Sequence, residues 1–269
     1  MRIWGKVLGF LFGLMLSKNI FGALLGAWLG HRFDKGLGLN FNSLGGAKSE
    51  ADRQATFFYS SFSVMGYIAK ANGQVTQHEI AFATAYMDKL GLKDSLRQQA
   101  QDAFRDGKTT GFPLTERLTE LKSAVGNRQD LLLLFLEIQI QVAFADGSLD
   151  TDEREALHQI ANGLGYSAQE LDKLLEMIIA GANFHQQGQR GGNQSFAQSG
   201  KQLENAYKVL GVSQSDSASD IKKAYRKLMS QHHPDKLVAK GLPPEMMETA
   251  KQKAQDIQAA YELVSAQSK

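Results

Sequence analysis

The stretch NAYKVLGVSQSDSASDIKKAYRKLMSQHHPDKL, residues 205–237, decides how the C-terminal part of the chain folds. The apolar residues around its start predict a short helix over Leu203–Leu210 that stops at Gly211, where glycine tolerates the left-handed conformation. A longer helix begins at Ser217, whose hydroxyl caps it with Asp220 at the third position. Ile221, Ala224, Tyr225 and Leu228 recur at i, i+3, i+4 and i+7, which makes one buried stripe. Lys222, Lys223, Arg226 and Lys227 hold the remaining surface. Pro234 pushes His233 out of helical backbone, so His233 and Asp235 are expected on an exposed turn. The segment from Lys236 to Pro244 reads as a loop. A third helix from about Pro244 turns Ala250, Ile257, Tyr261 and Val264 inward.

YKVLGV, IKKAYRKL, His-Pro-Asp and a closing AAYELV follow one another in this order within residues 203–269. Together they resemble the J-domain of the DnaJ family. A bare His-Pro-Asp tripeptide carries little weight; inside this pattern it is specific. The resemblance implies that His233, Pro234 and Asp235 contact the ATPase domain of a DnaK-type chaperone. It also implies that Lys222, Lys223, Arg226 and Lys227 dock on an acidic surface of that partner. Opposite-sign faces raise the on-rate and fix register more than they add affinity. The chain departs from the family at Ala254, where a Phe is usual, so weaker packing on the second helix is expected. The loop from Lys236 to Pro244 is longer than in most members. The Gly/Phe-rich, cysteine-rich and β-rich modules of full DnaJ are missing.

Upstream, the chain repeats itself. AKANGQVTQHE at 69–79 matches AFADGSLDTDE at 143–153, an offset of 143 − 69 = 74. The same offset pairs Phe62 with Leu136, Val64 with Ile138, Ile68 with Val142 and Gly91 with Gly165. Each unit parses as an apolar helix, a turn at Asn72-Gly73 or Asp146-Gly147, and a second helix opened by a capping box, Thr76 to Glu79 or Asp150 to Glu153. The run Leu131–Leu136 is apolar all round, as at the centre of a bundle; Glu137, Gln139 and Gln141 follow at once, which excludes a membrane span there. The acidic residues Asp146, Asp150, Asp152, Glu153 and Glu155 lack EF-hand spacing, and a helix dipole accounts for them. The D-G-x-hydrophobic-x-x-x-E pattern resembles the TerB-like family of tellurite-resistance domains.

From Val7 to Leu29 the chain has 23 residues and one charge, Lys18. As a helix this covers roughly 35 Å, enough to cross a hydrocarbon core of about 30 Å. Trp4 and Trp28 sit at its two ends, where amphipathic rings prefer the headgroup level. Gly5, Gly9 and Gly13 form a small-xxx-small stripe expected to bring two such helices together as a homodimer. A second stripe, Gly22, Gly26 and Gly30, is shared by Lys18 and is less suited to close approach.

The chain has 269 residues, no cysteine and a formal net charge of +2. The missing cysteine removes disulfides, thiolate metal sites and a thiol nucleophile together. The near-zero charge argues against a dedicated nucleic-acid binder. An enzyme reading of His232, His233 and Asp235 as metal ligands fails on spacing, because adjacent helical histidines diverge. No cofactor is implied. The expectation is an all-α protein: a transmembrane anchor at 1–31, a linker at 32–50, a TerB-like helical domain at 51–184, a Gln/Gly-rich linker at 185–202 and a J-domain at 203–269. This order resembles the membrane-anchored DnaJ-like co-chaperones of Gram-negative bacteria. The resemblance implies a single inner-membrane span with the N-terminus periplasmic and everything after Leu29 cytoplasmic, stimulation of DnaK, and a link to envelope-stress and capsule signalling. The alternative is a membrane-tethered scaffold whose middle domain recruits a partner.

Overall fold

The computed structural model describes residues 49–71, 73, 77–144, 147–189 and 196–267, and all regular structure among them is helical. The expected span at Val7–Leu29, the stripe Gly5, Gly9 and Gly13, and the turn residues Asn72, Thr76 and Asp146 lie outside the described residues. Among the described residues no helix is long and apolar enough to cross a membrane. Residues 49–269 form one compact unit.

The 74-residue offset is visible as architecture. Helices α1 (Glu50–Ile68) and α2 (Gln77–Lys89) correspond to α5 (Gln129–Ala143) and α6 (Thr151–Leu164). The paired positions Phe62 and Leu136, Val64 and Ile138, and Ile68 and Val142 are all buried. Helix α1 starts where Ser49 and Asp52 form a reciprocal capping box, and α6 where Asp150 and Glu153 do the same. Gly91 and Gly165, the equivalent residues after α2 and α6, have φ of 65° and 97°, which only glycine adopts without strain. Helices α3 (Asp94–Gly107), α4 (Leu114–Val125) and α7 (Ala168–Gln189) complete the bundle. Helices α1 and α3 approach closely. A Cβ on Gly66 would stand 2.0 Å from the Phe104 carbonyl oxygen, and one on Gly107 1.8 Å from that of Ser63, so backbone meets backbone there.

The C-terminal part comprises α8 (Phe196–Leu210), α9 (Ala218–His232), the short α10 (Pro234–Ala239), a 3₁₀ turn at Pro244–Met246 and α11 (Met247–Gln267). Ser217 accepts from the Asp220 backbone N–H at the start of α9, as the sequence predicts. Ala206, Leu210, Ile221, Leu228, Ile257 and Val264 belong to a second core. Ala254 is buried. Two turns further along α11, the Tyr225 and Tyr261 rings stack with centroids 4.1 Å apart.

Two expectations are corrected. The Gln/Gly-rich linker expected at 185–202 is helical at both ends, since α7 runs to Gln189 and α8 begins at Phe196. The reason is packing: Met177, Ala180 and Phe184 on α7 join the C-terminal core, while Leu171, Leu175 and Ile178 on the same helix join the middle-domain core. One helix therefore serves both domains. The second correction concerns the expected loop from Lys236 to Pro244, which contains α10. Leu237, Leu242, Met246 and Ala250 are fully buried, in the core of the middle domain. Ala250 faces inward as expected, but toward the neighbouring domain.

Candidate functional site

The His-Pro-Asp turn is a junction between two helices. His233 has extended backbone, φ −64° and ψ 122°, and Pro234 occupies the first position of α10, where its missing N–H costs nothing. The Leu237 N–H donates to the His233 carbonyl at 3.1 Å, and Lys236 Nζ donates to Ser230 Oγ at 3.0 Å across the turn. Asp235 is exposed, as the sequence predicts. His233 is partly buried, and its Nδ1 is buried with no hydrogen-bond partner. The turn is thus more structured than the exposed loop expected, because α10 restarts the helix immediately after the proline.

Lys222, Lys223, Arg226 and Lys227 are all exposed along α9. None of them forms an ion pair among the described residues. Lys222 with Arg226, and Lys223 with Lys227, are like charges four apart, each pair costing a few tenths of a kcal/mol in an isolated helix. An acidic surface laid on this face would relieve that repulsion.

The other side of the turn is built from residues that the sequence does not mark as partners. His232, the last residue of α9, is buried against Glu137 of the middle domain, with Nδ1 3.5 Å from Glu137 Oε2. At that separation the contact is not a hydrogen bond, and both imidazole nitrogens and Glu137 Oε2 lack hydrogen-bond partners. Lys253 on α11 reaches the other carboxylate oxygen at 3.3 Å. Burial lowers the His232 pKa, outweighing the attraction of Glu137, and Lys253 lowers it further, so the imidazole is neutral at pH 7 and Lys253 is the counter-charge of Glu137. Nearby, Lys240 pairs with Asp130, and the buried Tyr86 hydroxyl lies 3.1 Å from that of Thr249. A cavity of about 380 Å³ opens beside this cluster, lined by Glu137, Tyr166, Met177, Lys227, Leu228 and His232 among others. Burial, with the carboxylates of Glu137, Glu170 and Asp130, pushes the Tyr166 phenol up to about 12. The one signal in the sequence was a glutamate directly after the most apolar run of the chain. Its partners lie far away along the chain and carry no recognisable spacing.

Among the described residues no group of three or more histidine or carboxylate side chains is placed to hold a metal ion. His232 and Asp235 in particular diverge, one into the seam and the other to solvent.

A helical hairpin with a His-Pro-Asp turn, a capped basic second helix and an attached two-repeat bundle defines the class: a J-domain protein with a TerB-like domain. Family models match in that order: the co-chaperone DjlA transmembrane domain over residues 1–42, tellurite resistance protein TerB over 59–176 and the DnaJ domain over 205–269. The co-chaperone protein DjlA of Vibrio cholerae is 52% identical over 98% of both chains. That of Photobacterium profundum is 51% identical over 97% of this chain and 98% of its own, and that of Escherichia coli K12 is 48% identical over 99% and 98%. No solved structure matches. The chain belongs to the DjlA co-chaperone family.

Proposed function

We propose that the chain is a membrane-anchored co-chaperone that stimulates ATP hydrolysis by a DnaK-type chaperone at the cytoplasmic face of the inner membrane. The observation that carries this reading is an unpaired basic face on α9 with the His233-Pro234-Asp235 turn at the end of that helix, within a segment matched by the DnaJ-domain model. Lys222, Lys223, Arg226 and Lys227 steer and orient the encounter through their charge. The turn then presents the His233 imidazole, whose Nδ1 has no internal partner, and the solvent-facing Asp235 carboxylate to the ATPase domain.

A DnaK partner and its ATP require the J-domain to be cytoplasmic, which sets the N-terminus in the periplasm. Gly5, Gly9 and Gly13 would let two anchors pair closely, and delivery of DnaK to the membrane suits a role in envelope-stress or capsule signalling. The test is single-turnover ATP hydrolysis by DnaK with the wild-type chain and with His233→Gln and Asp235→Asn. Both variants are expected to lose stimulation while keeping native circular dichroism. A folded His233→Gln chain that stimulates as well as wild type would leave the scaffold reading in its place.

A further inference from the structure

We propose that Glu137, acting through His232 and Lys253, is a positioning residue for the His233-Pro234-Asp235 turn, and that the middle domain presents this turn ready-ordered to its partner. The inference rests on the co-chaperone reading above and deepens it, since it assigns to the middle domain a part in the same site.

The turn is anchored on both sides by a domain to which it does not belong in sequence. Immediately before it, His232 is buried against Glu137. Two residues after it, Leu237 is fully buried in the middle-domain core, followed by Leu242 and Met246. Four residues lie between these anchors: His233, Pro234, Asp235 and the exposed Lys236. A segment pinned so closely at both ends loses little freedom on binding, and preorganisation of that kind lowers the ordering cost of association.

The chemistry of the anchor points the same way. Glu137 and Lys253 form an ion pair whose side chains are 2% and 14% exposed. Burying such a pair costs desolvation that its Coulomb attraction barely repays, and apolar residues of similar volume are often as stable or more so. A seam already lined by Leu237, Leu242, Met246 and Ala250 needs no charge to hold together. What an ion pair supplies and leucines do not is a single register: the Lys253 ammonium on α11 must meet the one carboxylate on α5, against which the His232 imidazole of α9 is packed. That fixes how α9, which leads into the turn, and α11 sit on α5.

The experiment uses the full chain in detergent micelles, titrated into DnaK in single-turnover ATP hydrolysis, with melting temperature measured in parallel. Glu137→Gln removes the charge, and Glu137→Met with Lys253→Met replaces the pair by apolar chains. In both, the concentration for half-maximal stimulation is expected to rise about threefold or more, with the maximal rate largely retained, because the loss is of preorganisation rather than of contacts. The melting temperature of the double variant is expected to hold or rise. A merely structural role would move the melting temperature and leave half-saturation alone. Unchanged half-saturation in both folded variants overturns the assignment, as does a gain in stimulation, which would make the seam a restraint. Failure of both variants to fold overturns it too, since the group would then be structural. If only the double variant fails to fold, Glu137→Gln decides. A wild-type chain with no stimulation sinks the co-chaperone reading itself, a different result from any of these.

Discussion

The two ends of the α9/α11 hairpin are held by different means. At the end near α8, the hairpin lies in a second core, where Ile221, Ile257 and Val264 pack with Ala206 and Leu210 and with Met177 and Ala180 of α7. At the His-Pro-Asp end, Leu237, Leu242, Met246 and Ala250 are buried in the core of the other domain. The family boundary, drawn at residue 205, therefore does not coincide with the packing boundary. A motif read as belonging to one domain is supported structurally by another.

The strongest way to break that comparison is to remove a seam anchor. Leu237→Ala or Met246→Ala leaves a cavity in a fully buried site, for which the expected loss is about 2–5 kcal/mol. Because these residues sit in the middle-domain core, denaturant unfolding of the 49–269 unit should shift as a whole. A transition that splits, with the middle domain unmoved, would show the seam to be superficial. At the opposite end, Tyr261→Leu removes one ring of a stacked, partly buried pair and should cost about 0.5–1.5 kcal/mol beyond any change in area. A larger loss there than at Leu237 would invert the comparison.

The helix caps offer a smaller perturbation on each side. Ser217→Ala at the start of α9 and Asp150→Ala at the start of α6 each remove an acceptor for a backbone N–H and should cost about 1 kcal/mol. Equal losses measured on the 49–269 unit support a single cooperative fold, whereas separate transitions would argue for two.

Acid sharpens the seam further. His232 faces Glu137, Lys253 and Asp130, and its folded pKa lies below the ordinary value of about 6.5. The unfolded chain therefore binds this proton more readily than the folded one. The stability contribution is complete above about pH 6.5 and is lost as the pH falls below it. The melting temperature should drop from pH 7 to pH 5.5, and His232→Gln should flatten that drop. A wild-type profile that rises on acidification would mean that Glu137 captures a protonated imidazole after all.

Much of this molecule was legible in the sequence because it is periodic or local. The offset of 74 placed Phe62 on Leu136 and Ile68 on Val142. The Ser217 and Asp150 caps follow from residues three apart, and the basic face of α9 from helical spacing. The seam was not legible for the opposite reason. Glu137, His232 and Lys253 converge from three helices, and no short-range pattern links them. The apolar residues Leu237, Val238 and Leu242 sit among Lys236, Lys240, Gly241 and Pro243, a composition that reads as loop. Only the neighbouring domain supplies the surface that makes a buried helix of it. The Gln/Gly-rich composition around 185–202 misled in the same way, because α7 gains its second apolar face from α8.

The most direct measurement of the central claim is amide exchange at the turn. The N–H groups of Leu237 and Leu242 bond to the His233 and Leu237 carbonyls at 3.1 and 2.9 Å. If the middle domain holds the turn, both amides should exchange about a hundredfold more slowly in the 49–269 unit than in the 201–269 fragment, while amides around Ala224–Leu228 stay protected in each. Equal exchange at Leu237 and Leu242 in unit and fragment, with α9 protected in both, would contradict the account and return the turn to the J-domain alone.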